Sequence, residues 1–451
     1  MDSDIDPDWA WSEFVPGNDV AWDCRTAAHL HRRAGFGATM GELETSLSLT
    51  PSAAVDRLLD ATEPVAFIEQ MSRLSVAALA TGEVQRLAAW WIYRMLATPA
   101  QLQEKLTLFW HGHFATSAAN VTDGRLMLNQ NLLLRSAAAG DFSRLLLEIS
   151  RDPAMLIYLD SVTNRRSHPN ENFAREIMEL FCLGEGHYSE NDIRELARCF
   201  TGWEVKREKF RFNRYQHDEG TKSILNRTGR FGGEDAVRIV SEQPAAPEFI
   251  VARLIRCFLR DEPRNAPALV APLARFMRDS GMQVRPVLKR ILVSNLFVSK
   301  YALARRVRSP AELLIGLLRC MDGTTNTFEL ADQMAQLGQS LFFPPSVKGW
   351  DGGRTWINSS TLLGRSNSVR RLLENDRTRF DGRSLEEYLS SQNLTSSGDL
   401  LDRLDTLVFA VPIPDPARDR VIALIDTAPS RSAGLTDGLH ALFTLPEFQL
   451  C

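Results

Sequence analysis

Apolar residues recur at intervals of three and four through most of this chain. The stretches 53–59, 84–97, 102–110, 132–138, 142–149, 173–181, 193–200 and 249–258 all carry that spacing, which predicts amphipathic helices. Start signals stand where such helices need them: Thr98-Pro99, Asp141 before Phe142, Ser189 with Asp192, and Ser309-Pro310 before Ala311. Gly184 and Gly186 stop the helix that precedes them. Strand signal is sparse. Val205, Arg207, Phe210 and Phe212 alternate as one short β-hairpin near 203–214 would. The prediction is a mainly α, multi-helix globular body with that hairpin. Long loops rich in Gly, Pro and Trp, at 229–235 and 342–360, exceed what a connector needs and are expected to converge on a polar pocket.

The same pattern divides the chain. Residues 1–28 read as an N-terminal arm whose Trp9, Trp11 and Trp22 can dock on the body. Residues 29–390 form the main helical domain. A polar linker near 390–399 leads into a C-terminal helical tail, 391–451, packed on it. Length and composition agree with a globular protein: 451 residues, 44% hydrophobic and 24% charged.

The net charge of −4 gives no global pull toward nucleic acid or an anionic membrane. The basic run Lys206, Arg207, Lys209, Arg211 and Arg214 reads as the wet side of the hairpin. Six cysteines at 24, 182, 199, 257, 320 and 451 form no close pair, so neither a disulfide framework nor a zinc knuckle is indicated. No run approaches the roughly 18 apolar residues of a membrane span. The acidic start MDSDIDPDWAW is not a leader, so the chain as written reads as cytoplasmic.

Three patches could carry chemistry. In the first, FWHGHFATS, His111 and His113 project about 200° apart on a helix, so they can share a metal only if the helix ends at Gly112. In the second, Glu171, Asn172, Arg175, Glu176 and Glu179 share the face opposite Phe173, Ile177, Leu180 and Phe181. That face has no Lys, and clustered carboxylates beside an Arg are how helical proteins build metal sites or acid–base pairs. The third is His217, Asp218 and Lys222, suited to proton transfer or an anionic group. Signatures of serine hydrolases, zincins, P-loop enzymes and dinucleotide-binding dehydrogenases are absent.

Longer motifs extend these patches: HLHRRAGFGAT (29–39), FWHGHFATS (109–117), SRDPAMLIYLD (150–160), PNENFAREIMELFCLGEGHY (169–188), DIRELARCFTGW (192–203), FNRYQHDEGTK (212–222) and PPSVKGWDGGRTWINSSTLLGR (344–365). Together with the closing LPEFQL they resemble a bacterial family known as domain of unknown function 1800, from about residue 29 onward. The resemblance implies no particular reaction. It implies export in many relatives and a secreted sulfatase-like partner, from which the lack of a leader departs. It also adds Arg33 and the loop from Trp350 to Asn358 to the three patches.

The leading expectation is an enzyme in which Glu176 and Glu179 act with His111, His113 or His217, either as metal ligands or as an acid–base set. The metal set is His111, His113, Glu176 and His217, for iron, manganese or zinc. Arg175, Lys222 and Asp218 join the catalytic group. Arg33, Asn172, Trp203, Trp350 and Asn358 are expected to bind a small-molecule, glycan or peptide substrate. Iron-dependent oxidation or hydroxylation, and metal-assisted hydrolysis or group transfer, both stay open. The alternative is a non-catalytic binding or assembly protein whose polar cluster locks helices together.

Overall fold

The structure is a computed structural model describing residues 5–17, 19–263 and 266–451. Among these residues the chain is mainly α, with three short antiparallel strand pairs. The caps behave as their chemistry requires. The Asp141 carboxylate accepts from the Ser143 and Arg144 amides. Ser189 with Asp192, and Ser309 with Glu312, form reciprocal capping boxes.

Two apolar cores organise the helices. The first gathers Leu106, Trp110 and Phe114 with Phe142, Phe181, Leu254 and Phe258. The second gathers Trp91, Leu314 and Leu317 with Leu404, Leu442 and Phe448. The last fifty-odd residues (from about 397) therefore share a core with helices near residues 91 and 317. Burying each Phe or Leu completely stabilises the fold by roughly 1.5–3 kcal/mol. The helix Gln101–His113 lines the first core, while Glu104 on its other side takes hydrogen bonds from Trp91 and Arg135.

Several expectations need correcting in detail. The hairpin Trp203–Lys206 with Lys209–Phe212 is present, but it is not alone. Lys222–Ile224 pairs with Arg227–Gly229, and Gly323–Thr324 with Arg379–Phe380. Strands of two or three residues are too short to display a period of two, so the pattern hides them. The helix expected over 173–181 changes pitch: it is α over Asn172–Glu176 and a π-helical turn over Ile177–Cys182. The linker narrows to 392–396 between Leu385–Ser391 and Ser397–Val408. In the arm, Trp11 donates to the Leu269 carbonyl and Trp22 to that of Leu49, while Trp9 remains 47% exposed. Residues 1–4 and 18 of the arm lie outside the described residues.

Candidate functional site

The helix Gln101–His113 does not end at Gly112, so its two histidines face different ways. The Phe342 amide donates to Nε2 of His111 at 3.1 Å. That nitrogen must therefore be the acceptor, and the proton sits on Nδ1. His113 has the opposite tautomer, because its Nε2 lies 2.9 Å from the Phe181 carbonyl, which can only accept. Burial holds His111 down to about 4. Burial, and then the Arg253 charge, hold His113 well below the ordinary histidine range. Both rings are neutral at pH 7, and both Nε2 atoms are committed to backbone.

The second patch does not form a metal site. Arg175 pairs with Glu190 at 2.8 Å on the surface and Glu179 accepts from the Tyr188 hydroxyl at 3.0 Å. Glu176 is half-buried, and its carboxylate makes no hydrogen bond among the described residues. Burial, followed by the Glu179 charge, raises its carboxyl. In the third patch, the His217 Nδ1 lies 2.8 Å from the Thr201 carbonyl and Asp218 binds Arg198 at 2.7 Å. Lys222 is buried, with its ammonium on the Asp218 and Phe231 carbonyls. That patch borders a separate surface basin with Arg166 and Arg214. Among the described residues no three His, Cys, Asp or Glu side chains gather as metal ligands. The set His111, His113, Glu176 and His217 is thus not brought together, and the side chains present do not fit an iron, manganese or zinc centre. The physical reason is the straight helix through Gly112, which sends its two imidazoles to different neighbours.

The remaining expected residues divide between support and site. Arg33 is fully buried and donates to the Leu259 and Ala302 carbonyls. Asn172 donates to the Leu159 carbonyl at 3.2 Å. Trp203 packs edge-on against Phe200 and Phe210. Asn358 caps the helix Ser359–Glu374. Of that group, Trp350 alone lines a described chamber.

That chamber, of about 180 Å³, has walls from the helix Ala245–Phe258 of the first core and the helix Pro310–Cys320 of the second. Its floor is His113 and Phe109, and the loop 350–353 covers it. The loop can reach this position because Gly349 has φ +74° and sits on Gly112. A Cβ at Gly349 would lie 2.1 Å from the Gly112 carbonyl oxygen. A ladder of charges runs along one wall. Glu312 takes the Lys105 ammonium and Arg306 at 2.9 Å, and Asp261 faces Arg306 at 3.5 Å. These opposite charges, with the Ser309 amide, hold the Glu312 carboxyl well below its ordinary value despite burial.

The opposite wall is unbalanced. Arg253 and Arg256 stand one helical turn apart, and neither makes an ion pair among the described residues. Arg253 reaches the Leu180 carbonyl at 3.5 Å, and Arg256 the Asp351 carbonyl at 3.3 Å. Burial and then the Arg256 charge lower the Arg253 guanidinium. Three buried polar atoms on the lining residues also lack hydrogen-bond partners, Nδ1 of His113, Nε1 of Trp350 and, on the ladder side, Nε of Arg306. The Leu180 and Phe181 carbonyls are free to serve Arg253 and His113 because they fall at a helix end, where the last carbonyls have no helical partner. The first and second patches therefore meet through backbone, not through carboxylates.

The chain reading did not single out Lys105, Arg253, Arg256, Asp261, Arg306 or Glu312. A signal existed in Lys105, set immediately before the apolar run LTLFW, and in Arg253 and Arg256 spaced three apart in the apolar second half of their helix. Fold and site together define a mainly α-helical protein with a small polar chamber at the seam of two apolar cores. The chain belongs to the family described as protein of unknown function (DUF1800), whose model matches residues 29–450. Comparison with curated proteins and with solved structures found no match. No helix among the described residues is long and apolar enough to cross a membrane.

Proposed function

We propose that the seam chamber binds a small anionic molecule and that His113 accepts a proton or hydrogen bond from it. The carrying observation is the pair Arg253 and Arg256, which lines the chamber without a carboxylate partner. Arg253 is half-buried and Arg256 exposed, neither guanidinium has a counter-charge among the described residues, and an oxyanion meets their forked donors well. The unpaired Trp350 N–H is a further donor for such a group. The unpaired Nδ1 of neutral His113 is an acceptor for a hydroxyl or amine beside it. Ligand pockets usually run to roughly 300–1,000 Å³. A chamber of about 180 Å³ suits a short hydroxy or amino acid, or the acidic end of a longer molecule. Such a set is compatible with acid–base chemistry without metal, His113 being the base.

The test is titration calorimetry of the whole protein with glycolate, malonate, phosphate and sulfate. We expect one of these to bind, with Arg253→Met weakening it at least tenfold while the far-ultraviolet spectrum is unchanged. Trp350→Phe, which removes one donor, should weaken it less. No binding by any of the four, or equal binding by Arg253→Met, overturns the reading.

A further inference from the structure

The motif FNRYQHDEGTK takes no part in the seam chamber, and part of it is spent on its own scaffold. Asp218 binds Arg198 at 2.7 Å and its amide donates to Oγ1 of Thr201. The Lys222 ammonium rests on the Asp218 and Phe231 carbonyls. Nδ1 of His217 lies 2.8 Å from the Thr201 carbonyl, so that nitrogen carries a proton. The Asn213 side chain accepts from the Tyr215 amide, and the Arg166 amide donates to the Gln216 carbonyl. Gly202, at φ +81°, lies so close beneath the loop that a Cβ there would stand 2.4 Å from the Asn213 carbonyl oxygen. These contacts fix the backbone from 213 to 218.

Other side chains of this rigid loop are turned to water and left unused. Tyr215 is 78% exposed, and Phe212, whose ring meets that of His217 edge-on, is 49% exposed. The side chains of Arg166, Arg214 and Glu219, and Nε2 of His217, make no hydrogen bond or ion pair among the described residues. With Tyr215 they line an open basin of about 880 Å³. That is the upper part of the roughly 300–1,000 Å³ span of ligand sites. Charge in the basin nearly cancels: Asp218 is balanced by Arg198, which leaves Glu219 against two guanidiniums. A free carboxylate at the rim disfavours a small oxyanion. One aromatic ring, two forked donors and two acceptors instead suit a neutral guest with an apolar face and hydroxyls that both donate and accept. A sugar ring has both.

We propose that this basin binds a neutral saccharide chain. Tyr215 is the platform on which a sugar ring lies by its C–H face. Arg166 and Arg214 donate to hydroxyl oxygens, while Glu219 and Nε2 of the neutral His217 ring accept hydroxyl hydrogens. Because the loop is already held in shape, binding orders little beyond the ligand. The site is independent of the seam chamber, whose cations are Arg253 and Arg256.

The test is calorimetric titration of the full chain with cellohexaose, chitohexaose, maltohexaose and laminarihexaose. At least one should bind, with an affinity that high salt leaves unchanged because the sugar carries no charge. Tyr215→Ala should weaken it about tenfold at an unaltered melting temperature, since the ring stands largely in water. Tyr215→Phe keeps the platform and should retain most of the affinity. Failure of all these saccharides to bind, or equal binding by Tyr215→Ala, overturns the proposal. So does binding of hexagalacturonate or polyglutamate alone, abolished by salt, because the arginines would then act as a plain cationic patch.

Discussion

A single proton distinguishes His111 from His113. Both are neutral, buried and two residues apart, yet one keeps its hydrogen on Nδ1 and the other on Nε2, each dictated by one backbone group. Gly349 shows the same dependence on one atom. Its φ of +74° costs a side-chain-bearing residue roughly 1–2 kcal/mol, before any clash. An added methyl would also meet the Gly112 carbonyl. Gly349→Ala should therefore lower stability by at least that amount in thermal denaturation and weaken anion binding, because the loop bearing Trp350 must lift off. An unaltered melting curve would show that the two glycine backbones do not touch.

At the level of the element, the helix Gln101–His113 and the helix Pro310–Cys320 are joined by Lys105 and Glu312. Both are nearly excluded from water, with side chains 4% and 6% exposed. Breaking a buried pair leaves a bare charge, at a cost of roughly 3–5 kcal/mol. Glu312→Gln leaves Lys105 with no carboxylate and Arg306 with Asp261 alone, so it should reach that range in denaturant unfolding. Lys105→Met should cost less, since Glu312 retains Arg306 and the Ser309 amide. The reverse order would place the main partner of Glu312 elsewhere. Helices of this kind were legible in the chain because Leu106, Trp110, Leu254 and Phe258 keep a period near 3.6. The site was only partly legible. Trp350 and His113 sit in chemically marked motifs, whereas Lys105 and Glu312 become meaningful only when residues 207 positions apart meet. The Glu176–Glu179 face looked like a centre because its spacing is regular, but regular spacing on one helix supplies no partners from another.

For the whole molecule, pH reads out the buried titratable groups. His31 and His111 are pushed down to about 4 by burial. A base with a depressed folded value stabilises the native state above its ordinary value of 6.5, and that contribution is lost as pH falls toward 4. Each such shift amounts to roughly 3 kcal/mol. Asp152 runs the other way: burial raises it to about 6, so its proton favours the folded state as pH falls below 6. Two histidines outweigh one aspartate, and His29 and His113 are displaced in the same sense as the two. The unfolding free energy should decline between pH 6.5 and 4, and Asp152→Asn should steepen the decline by removing the opposing protonation. A flat profile across that window would mean these imidazoles are not sealed from water.

The charge ladder of Lys105, Glu312, Arg306 and Asp261 has one more consequence, for how the two cores find each other. Greasy surfaces stick in many relative positions, since dispersion contacts have no direction. Fixed donors and acceptors match in one. A half-molecule that docks a helical turn out of place strands every rung at once, with Glu312 facing no cation and Lys105 no anion. The seam therefore works as a keyed lock between the halves, rejecting misassembled chains by the same contacts that leave the chamber open in the correct one.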